Sequence, residues 1–404
     1  MPQFQSFTGL IFLMLVAWVL SSARRIFPWR VVIGGLLLQF TLGWLILRTE
    51  QGRWFFSCLS DVVTGLLDSV DSGSLFLFGP NYRDHYFAFR VLPTIIFFSA
   101  LMSVLYHFGV LQRVVSIMAK IMQKALRTSG AETLAAAVNV FVGQTEAPLL
   151  VKPYIPRMTD SELMAVMVGG FANIAGGVLA AYVGMGIDAG HLIASSVISA
   201  PASLLIAKIM QPEVDQPETL GLVDVDVKIE TVNFLDALAA GASEGLMLAL
   251  NVGAMLIAFL ALIAALDLVL LWFSSLFGYQ WTLAWILGRA FAPVAFLLGV
   301  PWSDAYSVGE LLGLKMIANE FVAYDRLGTW LKEGSGVILS ERSKVIATYA
   351  LCGFANIGSI GIQIGGLSPM APNKRGTISR LAFRAMIGGT LATFMTACIA
   401  GLLL

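Results

Sequence analysis

Long apolar segments are the feature that most constrains how this chain can fold. Residues 31–47, 91–110, 192–210 and 246–273 each reach or approach the roughly 20 apolar residues that cross the hydrocarbon core of a bilayer. Charged residues make up only 12% of the 404 positions and hydrophobic residues 58%, and a soluble domain usually carries about twice that charged fraction. The pattern predicts an all-α polytopic membrane protein with about eight transmembrane helices.

The charges predict an orientation. Residues 10–20 are apolar and are followed by Arg24 and Arg25 without a small-residue cleavage motif, which predicts a first span rather than a cleaved signal. Lys and Arg residues are clustered in three segments, 24–30, 113–127 and 374–384. If the N-terminus is outside, all three clusters fall on the cytoplasmic side. The acidic segment 211–230 opposes this orientation, although acidic residues contribute little to the rule. We expect a multi-pass protein of the cell inner membrane.

Two segments differ from spans. In residues 112–127 the charges lie on one helical face and apolar residues on the other, which is typical of a helix in the membrane interface. Residues 50–85 mix Asp, Gly, Asn and Pro with short apolar runs, which predicts an outer segment with a short surface helix. The zero net charge does not indicate a nucleic-acid partner, and the three cysteines have neither disulfide nor zinc spacing.

A repeated pentapeptide indicates two related halves. Gly-Phe-Ala-Asn-Ile occurs at residues 170–174 and again at 353–357. Upstream of each copy an apolar stretch is broken by a polar, acidic segment, at 143–148 and at 318–321. An odd number of predicted spans separates the units, so they should be inverted relative to each other. Inverted repeats with interrupted helices are typical of secondary transporters, whose site lies at the repeat interface near mid-membrane.

The acidic breaks predict re-entrant hairpins. Glu146 and Glu320 lie within apolar runs, and a carboxylate at the centre of a spanning helix costs roughly 2.5–3.5 kcal/mol. Two hairpins that turn back at mid-depth avoid this cost, because irregular backbone then lines a cavity instead of facing lipid. Gly143 and Pro148 bracket the first turn.

The polar residues of these segments suggest a class of solute. The glycines after Asn173 and Asn356 predict unwound backbone that coordinates a cation, or close helix packing through small residues. No arginine accompanies the carboxylates, and Lys315 is the nearby cation; this opposes an anionic substrate that needs a bidentate clamp. A neutral solute with several OH and NH donors is favoured, with the carboxylates as proton carriers the alternative. The polar set is Gln144, Thr145, Glu146, Glu320, Asn356 and Ser359.

The segments 143–148 and 318–324, with Phe354-Ala355-Asn356 and Ser359, closely resemble the concentrative nucleoside transporters over essentially the whole chain. The resemblance implies a homotrimer in which a transport domain moves against a scaffold domain. The implied division is scaffold helices in 1–110, the first transport repeat in 111–210, a cytoplasmic loop and scaffold span in 211–273, and the second transport repeat in 274–404.

The resemblance also implies roles for individual residues. Gln144, Thr145 and Glu146 would hydrogen-bond the nucleobase, with Val178 and Phe354 beside it. Glu320, Asn356 and Ser359 would hold the ribose hydroxyls. The sodium ligands would be Asn139, the Val142 carbonyl, Asn173 and the Ile174 carbonyl. Sodium-coupled members have Ser or Thr where this chain has Asn173, so proton coupling stays as an alternative to Na⁺.

The implied function is a symporter that imports uridine-like nucleosides on a sodium gradient, with the nucleoside, two further copies of the chain and membrane lipid as partners. An intramembrane enzyme that uses Glu146 and Glu320 as an acid–base pair is the main rival, although no nucleophile–base pair or cofactor motif accompanies them. A channel is the second rival.

Overall fold

The computed structural model describes residues 2–220 and 231–404, apart from Glu333 and Ser335, and those residues form helices and connecting loops without a β-strand. The first-half helices are α1 (Pro2–Val19), α2 (Trp29–Leu47), α3 (Glu50–Phe78), α4 (Leu92–His107), α5 (Val110–Leu126), α6 (Gly130–Val138), α7 (Asp160–Ala172), α8 (Gly176–Gly184) and α9 (Ala189–Met210). The remaining helices are α10 (Phe234–Ser275), α11 (Leu283–Leu298), α12 (Trp302–Ile317), α13 (Glu320–Leu331), α14 (Glu341–Leu351), α15 (Ile357–Leu367) and α16 (Arg375–Leu403).

The structure has the helices of a membrane protein. Within the described residues, six helices are long and apolar enough to cross a bilayer, or seven if the pair α11 and α12, bent by 116°, forms one span. Three of the four apolar segments singled out in the sequence fall within these spans, and the fourth, 91–110, overlaps the span Phe87–His107 and extends three residues beyond it. Gln3–Val19 and α15 are apolar but shorter. The multi-pass, all-helical class is confirmed, whereas the number of about eight crossings stays a prediction.

The two halves repeat the same order of elements. In the first, α6 ends before a turn, the 3₁₀ segment Ala147–Val151 packs back on α6, and the interrupted helix α7–α8 and the span α9 follow. In the second, α12 and α13 pack against each other across a break, and the interrupted helix α14–α15 and the span α16 follow. Each copy of the pentapeptide lies at the interruption. Both predicted interruptions at the pentapeptide copies are therefore confirmed, whereas the two re-entrant hairpins stay a prediction.

Polar caps fix the starts of the helices around these breaks. Ser129 and Thr159 form capping boxes at α6 and α7 with Glu132 and Glu162. The side chain of Asn319 accepts a hydrogen bond from the amide of Val322 at the start of α13. Because each cap satisfies amides that a helix start leaves unpaired, the chain can begin a helix next to a buried break without stranding polar groups.

The first two helices pack against long helices of both halves. α1 packs against α16, and α2 against α9, both within the ranges predicted for the transport domain. Glycines allow this approach: a Cβ on Gly35 would lie 2.8 Å from Leu205, and one on Gly43 2.7 Å from Leu403. Close small-residue contacts therefore attach α1 and α2 to the interrupted-helix core, and the division of the chain into scaffold and transport domains stays a prediction.

A second packing unit consists of α4 and α10. Gly241 and Gly245 of α10 lie directly against α4, where a Cβ on either residue would come within 2.8 Å of Ser99 or its neighbours. α8 also packs on α4, since a Cβ on Gly177 would lie 2.7 Å from the Ser99 hydroxyl. Only 6% of the most apolar 18-residue stretch of α10 is buried. The pair α4–α10 therefore contacts the interrupted-helix core on one side and leaves α10 largely uncovered.

The two segments that were predicted not to be spans, 50–85 and 112–127, can be compared with their predictions. The predicted short surface helix in 50–85 is wrong in length, because α3 is a single 29-residue helix; Gly65 and Gly73 are tolerated within it because nothing packs on them. The predicted helix at 112–127 corresponds to α5, which buries Val115 and Ala119 but exposes Ile117 and Ile121. Of the acidic segment 211–230, residues 221–230 lie outside the described residues.

Candidate functional site

The two interrupted helices meet at their breaks. The amide of Phe354 donates a hydrogen bond to the carbonyl of Asn173 over 3.3 Å, joining the two pentapeptide copies. A Cβ on Gly353 would lie 2.8 Å from the carbonyl oxygen of Phe171, so this approach of backbone to backbone requires glycine. The repeat seen in the sequence thus becomes a contact between the two halves, and the polar groups of both breaks lie around it.

The turn after α6 packs onto both interrupted helices. Gln144 is buried, and its Cβ would lie 3.0 Å from a Cβ on Gly170 of α7. Thr145 lies against α15, where a Cβ on Gly366 would come within 2.7 Å of its methyl group. Two glycines from different halves therefore make room for the polar turn, which places Gln144 and Thr145 between α7 and α15.

Glu320 is the most enclosed carboxylate of the predicted set. It is 3% exposed and begins α13, directly after the break. The Tyr182 hydroxyl donates to its Oε1 over 3.2 Å, and Nδ2 of Asn356 donates to its Oε2 over 2.9 Å. Tyr182 comes from α8 and Asn356 precedes α15, so both interrupted helices hold the carboxylate. Two side-chain donors from different helices therefore orient it.

Asn356 and Ser359 form the start of α15. Oδ1 of Asn356 accepts the amide of Ser359 over 2.8 Å, which caps the helix, and its Nδ2 is thereby directed at Glu320. Val178 is buried on α8, one helical turn before Tyr182 and on the same face. Phe354 is partly buried between the breaks. The structure therefore brings Val178, Glu320, Phe354, Asn356 and Ser359 to one region.

Glu146 differs from Glu320. Its side chain is exposed in the single copy of the chain. Its Oε2 accepts a hydrogen bond from the amide of Gly143, three residues earlier in the same turn, over 2.9 Å. Among the described residues no hydrogen bond joins Glu146 to Glu320. The sequence treated the two glutamates as an equivalent pair, whereas the structure gives one of them two side-chain donors from other helices and the other a local backbone donor.

Next to the turn is a buried amide without a partner. Asn139 follows α6 and is 1% exposed, and neither its Oδ1 nor its Nδ2 has a hydrogen-bond partner. It faces α7, where a Cβ on Gly169 would lie 3.2 Å from Nδ2. A buried unsatisfied polar group costs about 1–3 kcal/mol, so the unpartnered amide oxygen of Asn139 points to a ligand that it can coordinate, such as a cation.

The other predicted cation ligands lie in the same place. Val142 and Ile174 lie in non-helical backbone on either side of this site, so their carbonyls are outside helical ladders. Oδ1 of Asn173 accepts the hydroxyl of Ser199, and its Nδ2 donates to the carbonyl of Gly169 over 3.2 Å. In the described part of the chain no group of three or more His, Cys, Asp or Glu could hold a metal. Amide and carbonyl oxygens fit a hard monovalent cation rather than zinc.

Three contributors were missed at the sequence level. Tyr182 orients Glu320, Ser199 contacts Asn173, and Gln363 of α15 donates to the carbonyl of Met167 over 2.9 Å beside Gln144 and Gly170. Ser199 had a detectable signal, because Ser195, Ser199 and Ser203 recur every fourth residue on a largely apolar span. Tyr182 and Gln363 had none beyond their position within interrupted helices.

Comparison with known proteins gives this geometry a context. Residues 191–401 match the family described as Na⁺ dependent nucleoside transporter C-terminus, residues 8–81 match its N-terminus counterpart, and residues 88–189 match a description of nucleoside recognition. A solved structure of CNTnw in an inward-facing, substrate-bound state has a TM-score of 0.94 and 44% identity, and covers 100% of this chain and 98% of that one.

Curated relatives agree. An uncharacterized transporter of Haemophilus influenzae is 46% identical over 100% of this chain and 98% of its own length. Solute carrier family 28 member 3 of Homo sapiens is 46% identical over 99% of this chain, which spans 60% of that longer protein. Sodium/nucleoside cotransporter 1 of Mus musculus is 42% identical, with 64% of its length covered. The family description covers more than half of the chain and the identities extend over nearly all of it, so the chain belongs to the Na⁺ dependent nucleoside transporter family.

Proposed function

We propose that this protein is a secondary active symporter of the inner membrane that imports uridine-like nucleosides on a sodium gradient. The observation that carries the proposal is the buried Glu320 carboxylate, which Tyr182 and Asn356 hold from two interrupted helices. Because the chain belongs to a family of transporters, the intramembrane-enzyme alternative is removed.

Glu320 fits the sugar of a nucleoside. An ionised carboxylate offers about four acceptor positions, more than its two side-chain donors occupy. A vicinal diol carries two hydroxyl donors at the spacing of two carboxylate oxygens. A ribose therefore satisfies the carboxylate without adding charge, whereas an anionic substrate would repel it. Ser359, one turn into α15, would hold a further hydroxyl.

The turn after α6 fits the base. Gln144, Thr145 and Glu146 offer both donors and acceptors, as the edge of a nucleobase requires, while Val178 and Phe354 supply apolar contacts on its faces. Gln144 lies over Gly170 and Thr145 against Gly366, so the turn can close over a planar ring between α7 and α15.

Sodium would bind beside the base site. Asn139, the carbonyls of Val142 and Ile174, and Asn173 would ligate it. Consecutive glycines of α7 join the two sites, since Gly169 faces Asn139 and Gly170 faces Gln144. A cation that orders the turn at Asn139 therefore also orders Gln144 for the base. Such coupling is reciprocal, so the nucleoside raises sodium affinity by the same factor.

Alternating access would move the interrupted-helix core against a static scaffold. The pair α4–α10 is our candidate scaffold, because it contacts the core through Gly177 and leaves α10 uncovered. Exposed apolar side chains such as Ile257 and Leu268 on α10 suit contact with lipid and with other copies of the chain in a homotrimer.

Uptake of radiolabelled uridine by proteoliposomes tests this proposal. We expect saturable accumulation above the external concentration when a sodium gradient is imposed, and none with a proton gradient alone. Accumulation driven by protons only would establish the proton-coupled alternative, and non-saturable equilibration would establish a channel.

A substitution at the carboxylate tests the site. Glu320→Gln should abolish uridine accumulation while elution volume and thermal stability stay close to wild type, because an amide keeps the shape but loses one acceptor oxygen. The matched change Glu341→Gln, at an exposed position that starts α14, should leave uptake unchanged. Normal uptake by Glu320→Gln would refute the assignment of the site.

A further inference from the structure

Lys315 is a buried cation that the proposed transport site does not use. It lies near the end of α12 with an exposure of 0%. Its ammonium donates to the carbonyl of Ala350 over 2.8 Å and to the hydroxyl of Thr393 over 3.0 Å, with the ring of Phe394 at 5.9 Å. Within the described residues it forms no ion pair with a carboxylate, unlike Lys208, which lies 2.7 Å from Glu132.

The partners of Lys315 are those that a hard cation takes. Lysine is almost never fully buried without a paired charge, and its burial costs several kcal/mol unless its donors are satisfied. Ala350 is in the last turn of α14, where carbonyls lack helical partners and carry the negative end of the helix dipole. A carbonyl at a helix end and a hydroxyl therefore solvate the ammonium as they would solvate a metal ion.

Lys315 lies between three elements, the end of α12, the end of α14 and the span α16. Three corresponding elements surround the proposed sodium site in the first half. There the groups are Asn139 at the end of α6, the break that ends α7, and Ser199 on α9. In the second half the corresponding elements are the end of α12, the end of α14 and the span α16. Each site thus lies between the end of a hairpin arm, the end of an interrupted helix and a polar side chain of the following span.

We propose that Lys315 is a built-in cation that takes, in the second half, the place that the transported cation takes in the first. The inference rests on the proposed function of sodium-coupled nucleoside uptake. Its consequence is that one half of the repeat carries a mobile positive charge and the other a permanent one, so each nucleoside enters with a single sodium ion. The permanent charge also stays beside the break that begins α13 at Glu320 throughout the cycle.

Parallel fluxes of ²²Na⁺ and tritiated uridine into proteoliposomes test the consequence in the wild-type protein. We expect a ratio of about one sodium ion per uridine, since the second site is already filled. A ratio of about two would overturn the inference while leaving sodium-driven uptake, and thus the proposed function, intact. A wild-type protein without sodium-driven uptake would instead refute the proposed function.

Removal of the ammonium tests the site itself. Lys315→Ala leaves room beside the Ala350 carbonyl and the Thr393 hydroxyl, and its uptake rate should fall about tenfold or more. Methylammonium in the assay should restore part of that rate, or a second sodium ion should enter so that the flux ratio rises toward two. Lys315→Met removes the same charge but fills the space, so methylammonium should not restore it.

The outcomes separate a resident cation from a packing residue. Recovery by methylammonium in Lys315→Ala but not in Lys315→Met, or a raised flux ratio in Lys315→Ala, supports the inference. A Lys315→Ala protein that keeps the wild-type flux ratio and does not respond to methylammonium overturns it. If neither variant folds, the wild-type flux ratio tests the inference: a ratio of about one supports it, and a ratio of about two overturns it.

Discussion

The hydroxyl of Tyr182 offers a direct test of how the carboxylate is held. Tyr182→Phe removes the donor to Oε1 of Glu320 and keeps the ring, whose centroid lies 4.9 Å from Phe321 and 4.3 Å from Tyr324. The aromatic packing therefore persists, and the variant isolates one hydrogen bond to one carboxylate oxygen.

The magnitude follows from the geometry. A hydrogen bond to a charged group contributes about 1.5–3 kcal/mol. The distance of 3.2 Å is longer than is usual between two oxygens, so the lower end, about 1.5 kcal/mol, applies here. Only the part of this energy that differs between the free and the uridine-bound protein changes the Kd. Since about 1.4 kcal/mol corresponds to a factor of ten, the Kd for uridine should rise by up to about tenfold. Asn356 still holds the other oxygen, so binding should weaken but persist.

Equilibrium binding of tritiated uridine to the purified protein at saturating sodium measures this effect. Tyr324→Phe is the matched control, because the ring of Tyr324 packs against Tyr182 at a tilt of 34° but its hydroxyl donates to the backbone carbonyl of Thr348 over 2.7 Å. The control should lower thermal stability, by about 1 kcal/mol for one neutral hydrogen bond, without changing the Kd for uridine.

Two results would refute the reasoning. If Tyr182→Phe binds uridine with an unchanged Kd, the hydroxyl does not position the carboxylate for substrate. If Tyr324→Phe weakens binding as much as Tyr182→Phe does, the effect comes from the aromatic cluster and not from the contact with Glu320.

Two further predictions concern other buried polar groups. Asn139→Ala should raise the sodium concentration for half-maximal uptake about tenfold or more, because it removes a proposed cation ligand; a sodium titration of uptake measures this, and an unchanged midpoint excludes Asn139 from the cation site. Lys208→Met leaves Glu132 buried without its partner at 2.7 Å and should destabilise the protein by about 3–5 kcal/mol. Adding Glu132→Gln should recover part of the loss of melting temperature, and a double variant no more stable than Lys208→Met would show that the pair is not the cause.

Three features could be predicted from local sequence patterns: the helical segments, the helices apolar enough to span a membrane, and the positions where helices break. These properties are local: twenty apolar residues define a span wherever they occur, and Gly, Asn and Pro interrupt a helix through their own backbone preferences. The pentapeptide at 170–174 and 353–357 therefore predicted both interruptions, and the polar segments at 143–148 and 318–321 predicted the breaks between α6 and α7 and between α12 and α13.

The hydrogen-bond partners of the buried polar groups became known only from the tertiary structure. Tyr182 and Glu320 are 138 positions apart and come together because α8 packs beside the start of α13. Lys315 and Thr393 are 78 positions apart, and Glu146, equivalent to Glu320 in the sequence pattern, bonds to its own turn. Hydrogen-bond partners depend on the relative placement of helices, which small-residue contacts such as those of Gly170, Gly353 and Gly366 set at long range. Local preferences carry no record of that placement.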